Sequence, residues 1–119
     1  MRSISLLVIT TLSLVAGLAQ TKRAAETGVC SYYAQRYNGR ITAGGKKFSN
    51  NALTAAHRTY PMGTKLRLTN VSNGKTVDVV VNDRGPFVKG REISVTRRAA
   101  QQLGFIKQGF TTVRIEQIQ

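Results

Sequence analysis

Residues 65–82 carry a β-hairpin signal, which points to a fold built on antiparallel strands. The stretch 65–71 ("KLRLTNV") alternates basic and apolar side chains with a period of two, the pattern of a strand that buries one face. Asn73-Gly74 follows, a dipeptide that favours tight hairpin turns. The stretch 76–82 ("TVDVVVN") then returns as the second strand.

Further short strands are predicted on both sides of this hairpin. They cover 28–34 ("GVCSYYA"), 52–57 ("ALTAAH"), 91–95 ("REISV") and 109–118 ("GFTTVRIEQI"). Segments rich in Gly, Asn and Pro separate them and are predicted to be loops. About six short strands in roughly 90 residues favour a small barrel or sandwich.

One helix is predicted, at 96–105 ("TRRAAQQLGF"). Thr96 is a suitable N-cap, because its hydroxyl can accept a hydrogen bond from a first-turn amide. Gly104 is suited to ending the helix. Three apolar side chains share one helical face: Ala99, Ala100 and Leu103.

The first residues have the layout of an export signal. Arg2 precedes an apolar run, and Gly17-Leu18-Ala19 offers small residues for cleavage. We therefore expect a signal peptide at 1–19, a flexible segment at 20–27 and one domain at 28–119. An uncleaved membrane anchor is the alternative, but the run is short for a bilayer span. No cysteine follows it for a lipid anchor, so we expect an exported protein, periplasmic or extracellular.

The charge of the chain predicts an anionic partner. Lys and Arg number 18 against 5 Asp and Glu, a formal net charge of +13. Outside the cytoplasm the available anionic polymers include peptidoglycan and other wall glycans, teichoic acids, lipid head groups and acidic polysaccharides, so we expect one of these and no nucleic acid as the partner. Charge steers association with any of these polymers without selecting one.

Cofactor and metal motifs are missing from the sequence. Cys30 is the single cysteine, so an intramolecular disulfide is excluded, and a small buried residue is the simplest interpretation. One His and one Cys do not supply a zinc site of the usual types. No phosphate loop or dinucleotide fingerprint is present. We expect no metal, no cofactor and a monomer.

The few acidic residues limit the chemistry that the chain can perform. They are Glu26, Asp78, Asp83, Glu92 and Glu116. Ordinary glycoside hydrolysis needs two carboxylates that flank one bond, and nothing in the sequence pairs two of these. A mechanism with one acid stays open. Asp83, in "VNDRGPF", is either that acid or a turn residue that caps its own backbone. His57, the only histidine, is more often structural in such a position.

Several motifs together resemble the rare lipoprotein A (RlpA) family. The matching segments are "GVCSYYA", "GRITAGGKKF", "NALTAAHRTYPMGTKLRLTNVSNGKTVDVVVNDRGPF", "GREISVTRRAAQQLGF" and "VRIE". They cover nearly all of 28–116. The resemblance implies a six-stranded double-psi β-barrel with one short helix. It also implies lytic transglycosylase activity on peptidoglycan glycan strands, with a preference for strands that lack stem peptides.

By motif position, the resemblance implies that Asp83 and His57 are the catalytic residues. Substrate-binding residues are expected from the same motifs: Tyr33, Thr42, Lys46, Arg84 and Ser94. Two of these positions depart from the family pattern, since Lys46 and Ser94 stand where the family often has an acidic residue. A non-catalytic, expansin-like protein that binds or loosens the wall is therefore an alternative. A basic protein that disturbs membranes is a more distant one, without an amphipathic helix in its favour.

Overall fold

A computed structural model describes residues 22–34 and 37–119 of the chain. The predicted leader at 1–19 lies outside these ranges. The elements follow in the order β1 (Glu26–Tyr32), β2 (Thr54–His57), β3 (Lys65–Asn70), β4 (Thr76–Asp83), β5 (Ile93–Val95), α1 (Arg97–Leu103) and β6 (Phe110–Gln117). Within the described ranges, no helix has the length and apolarity needed to cross a membrane.

The six strands form one closed barrel, with the order β1-β5-β2-β4-β3-β6 around its wall. The predicted hairpin is present as the antiparallel β3–β4 pair, with Leu66 opposite Val79. β6 pairs antiparallel with both β3 and β1 and so closes the wall. The β1–β5 and β2–β4 pairs are parallel, and both bring together strands that are distant in sequence.

The barrel interior is filled by the apolar positions of the alternating strands. On β3 and β4 the buried apolar side chains are Leu66, Leu68, Val77, Val79 and Val81. Each such side chain contributes about 1.5–3 kcal/mol when fully buried. Cys30 is a free, fully buried thiol, as the sequence predicted, and burial raises its pKa well above the ordinary range.

Strand boundaries differ from the sequence prediction where distant strands pair. β1 starts at Glu26, inside the segment expected to be flexible, because Glu26 pairs with Ile115 of β6. β4 extends to Asp83, because the register of its pairing with the parallel strand β2 shifts by one residue and sets Ala56 beside Asp83. Asp83 is therefore the last residue of a strand and not a member of the following loop.

Helix α1 has the caps that its sequence predicted. The Thr96 hydroxyl accepts a hydrogen bond from the Ala99 amide at 3.3 Å and donates one to the Ala52 carbonyl at 2.6 Å. Gly104 has a φ of 76°, a left-handed conformation that favours glycine, and its amide donates to the Ala100 carbonyl. The cap also attaches the helix to the chain segment that precedes β2.

We expect Thr96→Val to lower the free energy of unfolding by about 1–2 kcal/mol, because valine keeps the volume and leaves the buried Ala99 amide and the half-buried Ala52 carbonyl without their partner. Urea denaturation measures this change. Thr112→Val is the matched control, because Thr112 is exposed on β6, and it should change stability by less than about 0.5 kcal/mol. Equal effects of the two substitutions would contradict the capping role.

Candidate active site

A cleft of about 520 Å³ opens where β1, β2, β4 and β5 meet the loop that follows β4. Its lining combines aromatic, hydroxyl and basic side chains with a single carboxylate. The lining residues are Ser31, Tyr32, Tyr33, Ala34, Tyr37, Ala56, Asp83, Arg84, Gly85, Pro86, Phe87, Val88, Arg91 and Ser94. Four of the residues predicted from sequence are thus brought together: Tyr33, Asp83, Arg84 and Ser94.

Three hydrogen-bond donors hold the Asp83 carboxylate. Oδ1 accepts from the backbone amides of Ala43 and Arg84, each at 2.9 Å. Oδ2 accepts from the Tyr33 hydroxyl at 2.7 Å. The donors come from the end of β1, from the 42–46 loop and from the residue after β4. The carboxylate is therefore fixed in orientation at the wall of the cleft.

Tyr33 is a rigid donor in this arrangement. Its ring stacks on Phe48 with centroids 4.3 Å apart. Burial and the nearby Asp83 carboxylate raise the pKa of Tyr33 well above its usual range. The hydroxyl therefore keeps its proton and continues to donate to Asp83.

The loop at 42–46 holds the Ala43 amide within hydrogen-bond distance of the Asp83 carboxylate. Thr42 is buried, and its hydroxyl donates to the Lys46 carbonyl at 2.9 Å. The Gly44 amide donates to the Asn82 carbonyl at 3.0 Å. A Cβ on Gly44 would meet the same carbonyl oxygen at 2.8 Å, so the close approach favours glycine. Thr42 and Lys46 line a neighbouring depression and not the cleft; their role in substrate binding stays a prediction.

His57 is not among the residues that line the cleft, and its ring has other partners. Its Nδ1 accepts hydrogen bonds from the amides of Thr59 and Tyr60, at 3.1 and 3.2 Å. Its Nε2 lies 3.6 Å from a Glu26 carboxylate oxygen. His57 is connected to the cleft by its backbone carbonyl oxygen, which accepts a hydrogen bond at 3.2 Å from Nη1 of the lining residue Arg84. His57 thus contacts the residue after Asp83, and no direct contact with the Asp83 carboxylate occurs among the described residues.

The His57 ring is neutral in the folded protein at neutral pH. Burial lowers its pKa below the ordinary value of 6.5, Glu26 opposes that shift and Arg23 adds to it. Because Nδ1 accepts from two amides, the single ring hydrogen lies on Nε2 and points to Glu26.

A second cluster outside the cleft joins His57 to two carboxylates. Ligand atoms of Glu26, His57 and Glu92 lie within 4.8 Å of one another. A metal ion would need the lone pair of His57 Nε2, and that nitrogen carries the hydrogen. The residues therefore do not fit a metal site. Glu92 instead pairs with Arg58 at 3.4 Å. It is not among the lining residues of the cleft, so it does not replace the carboxylate that is missing at Ser94.

Two buried residues that line the cleft, Ser31 and Ser94, are neutral. Ser94 on β5 lies opposite Ser31 on β1 in the parallel pair. Ser31, Phe87 and Arg91 also line the cleft, and the sequence prediction missed all three. The sequence could have indicated Phe87 as an exposed ring, because a large apolar residue that follows Gly85-Pro86 lies in a loop, with no strand or helix to bury it.

Comparisons with known proteins agree with this fold. The family model described as "Lytic transglycolase" matches residues 25–115. An endolytic peptidoglycan transglycosylase RlpA of Neisseria meningitidis serogroup A is 53% identical over 93 residues, which cover 78% of this chain and 39% of the relative. The protein of the same name from Rickettsia felis is 48% identical over 99 residues, 81% of this chain and 43% of the relative. The chain thus spans about two fifths of the length of these curated relatives.

Solved structures show the same architecture at low sequence identity. The Streptomyces papain inhibitor superposes with a TM-score of 0.65 at 20% identity, over 81% of this chain and 96% of that one. An apo expansin of Clavibacter michiganensis gives a TM-score of 0.63 at 18% identity, over 81% of this chain and 51% of that one. These likenesses concern the fold alone. With the closed six-stranded barrel and the family match, they confirm the predicted double-psi β-barrel.

We expect wild-type stability to decrease as the pH falls below 6.5, in part because of His57. Its folded pKa is lowered from the ordinary value of 6.5, so in that range the unfolded chain binds a proton that the folded ring does not. His57→Asn should reduce this dependence, because Asn Oδ1 can accept from the same two amides and does not titrate. Urea denaturation at about pH 7.5 and about pH 5.5 measures the difference. An unchanged pH dependence in His57→Asn would contradict the assignment of a neutral, buried ring.

Proposed function

Since the chain belongs to the RlpA family of lytic transglycosylases, we propose that it cleaves the glycan strands of peptidoglycan to 1,6-anhydro products. The observation that carries the proposal is the Asp83 carboxyl group. It is the one carboxyl group among the described residues that line the cleft, and three donors fix it there. Strands without stem peptides are the preferred substrate in this proposal.

A single carboxyl group is sufficient for this reaction. Asp83 gives its proton to the glycosidic oxygen, and the bond from that oxygen to C1 breaks. The C6 hydroxyl oxygen of the same muramic acid residue then bonds to C1, and its proton passes to the Asp83 carboxylate. No water is consumed, and the carboxyl group is restored at the end. One residue therefore acts first as acid and then as base, which suits a chain with so few acids.

The three donors around Asp83 have a direct chemical role in this scheme. When the proton leaves, negative charge forms on Oδ1 and Oδ2. The amides of Ala43 and Arg84 and the hydroxyl of Tyr33 already point at these oxygens. Donors that are in place before charge develops stabilise it without reorganisation. The same donors aim the carboxyl group into the cleft.

His57 is a positioning residue in this proposal. Its ring fixes the 57–60 turn through two amide hydrogen bonds. Arg84 Nη1 donates to the backbone carbonyls of His57 and Tyr60, at 3.2 and 2.8 Å. The turn therefore holds Arg84, whose own amide contacts Asp83. Activity should survive His57→Asn, which keeps the acceptor, and fall in His57→Leu, which removes it.

The remaining functional assignments follow from the substrate. Peptidoglycan lies outside the cytoplasm, so in this proposal the protein acts after export. The net charge of +13 supports association with an anionic wall polymer. Tyr33, Arg84 and Ser94 contact the glycan in the cleft, and Thr42 and Lys46 contact it at the neighbouring depression. No cofactor takes part in the scheme.

We expect Asp83→Asn to reduce the yield of 1,6-anhydro products at least about 100-fold, because an amide does not supply the acid proton. Mass spectrometry of peptide-free glycan strands measures the yield. Asp78→Asn is the matched control: Asp78 is exposed on the outer face of β4 and pairs with Arg67 at 2.9 Å. It should retain wild-type activity.

Two outcomes would contradict the proposal. Wild-type activity in Asp83→Asn would exclude the acid role of this residue. A wild-type protein that pellets with insoluble wall but yields no anhydro products would support the expansin-like, non-catalytic alternative.

A further inference from the structure

One arginine side chain holds together the two ends of the loop that follows Asp83. Arg58 Nη1 donates to two of its backbone carbonyls, those of Pro86 at 2.8 Å and of Arg91 at 2.7 Å. Arg58 Nη2 lies 3.4 Å from a Glu92 carboxylate oxygen, and that ion pair holds the guanidinium in place. One side chain thus fastens both ends of the 86–91 loop, and the tip is presented from a fixed base at the edge of the cleft.

The tip of this loop exposes a large aromatic ring beside the reacting carboxyl group. Phe87 is 80% exposed, the largest value among the exposed large hydrophobic side chains of the described residues. A Cβ on Gly85 would lie 3.5 Å from a ring carbon of Phe87, so the ring covers the chain two residues after Asp83. Val88 is 53% exposed next to it. An apolar surface of this kind at the rim of a cleft is suited to a ligand with an apolar face.

Arg91 is a cation without a protein partner at the same rim. It lines the cleft, and no hydrogen bond or ion pair of its guanidinium occurs within 22–34 and 37–119. Two other arginines near this rim in the described ranges already have protein partners. Arg84 donates to two carbonyls, and Arg58 holds the two ends of the loop together. Arg91 therefore differs from them in that its whole guanidinium is available to a ligand.

No anion without hydrogen-bond donors of its own competes for Arg91 among the described residues that line the cleft. Asp83 is the one carboxylate among the described lining residues, and its oxygens are occupied by Tyr33 and two amides. Ser94 and Ser31, on the floor, are neutral. An acidic side chain at Ser94 would add a negative charge to the cleft. With serine there, the cleft attracts a negatively charged ligand.

We propose that Phe87 and Arg91 form a subsite for a sugar that carries a free carboxylate, with the ring against the sugar face and the guanidinium on the carboxylate. This inference rests on the proposed function, which places a peptidoglycan glycan in the cleft. In that polymer the group concerned is the lactyl carboxylate of a muramic acid residue. A stem peptide converts this carboxylate to an amide and removes the charge. Arg91 therefore selects strands from which the peptide is missing.

The test compares two glycans that differ only in this charge. One probe is a tetrasaccharide of alternating N-acetylglucosamine and N-acetylmuramic acid with free lactyl carboxylates. The other is the same tetrasaccharide with each carboxylate converted to a methylamide. Calorimetry gives both affinities for the wild-type chain and for Arg91→Gln, Arg91→Lys, Lys89→Gln and Phe87→Ala. Lys89 is the matched control, because it is an exposed cation in the same loop that does not line the cleft.

We expect the wild-type chain to bind the acid form roughly tenfold more tightly than the amide, the effect of one charge-assisted hydrogen-bonded pair. Arg91→Gln should lose that ratio while its affinity for the amide stays unchanged, and Arg91→Lys should keep part of it. Phe87→Ala should weaken both probes equally. Lys89→Gln should match wild type.

The inference is overturned if wild type binds both probes equally, if Arg91→Gln keeps the tenfold ratio, or if Lys89→Gln loses it as well. The ratio within one variant is insensitive to general loss of folding, since both probes meet the same protein. Binding does not require cleavage. A chain that prefers the acid form but yields no anhydro products would contradict the proposed catalysis and leave the subsite in place.

Discussion

Closure of the barrel through β1 is the constraint on which the site depends. β1 pairs antiparallel with β6 along Glu26 to Ser31 and parallel with β5 along Cys30 to Tyr32. These two ladders fix the direction in which the chain leaves β1, and Tyr33 follows at once with its hydroxyl on Asp83. The residues are 50 positions apart in sequence. Without the closing pair, the carboxyl group would lose its side-chain donor and the cleft one of its walls.

The distribution of charge in the cleft gives the site its chemical character. Among the described lining residues of the cleft, this strongly basic chain combines one carboxyl group with hydrogen-bond donors, two arginines and two neutral serines. A second carboxylate, as in ordinary glycoside hydrolysis, is not among the described lining residues. The arrangement suits a reaction in which the substrate supplies its own nucleophile and the protein supplies one proton. The positive rim adds attraction for a glycan that carries carboxylates.

The β3–β4 hairpin and the ends of helix α1 could be predicted from the sequence, because their signals lie in neighbouring residues. Asn73-Gly74 specified the hairpin, and Thr96 and Gly104 specified the ends of the helix, because turns and caps depend on neighbouring residues. The resemblance of the motif "VNDRGPF" to the family pattern indicated Asp83 as the candidate acid. The sequence did not predict that Asp83 ends a strand, since a register shift in the pairing of β4 with the distant strand β2 decides that. It also did not predict the direction of the His57 ring, because that depends on which side of a curved wall a residue faces.

The most direct test of the account is isotope labelling of the reaction by the wild-type chain. Peptide-free glycan strands are incubated with the protein in ¹⁸O-water, and the new ends are examined by mass spectrometry. If the C6 hydroxyl closes the ring and Asp83 acts first as acid and then as base, the products end in 1,6-anhydro muramic acid and contain no ¹⁸O. Reducing ends that carry ¹⁸O would show that water is the nucleophile and would contradict the mechanism with a single carboxyl group.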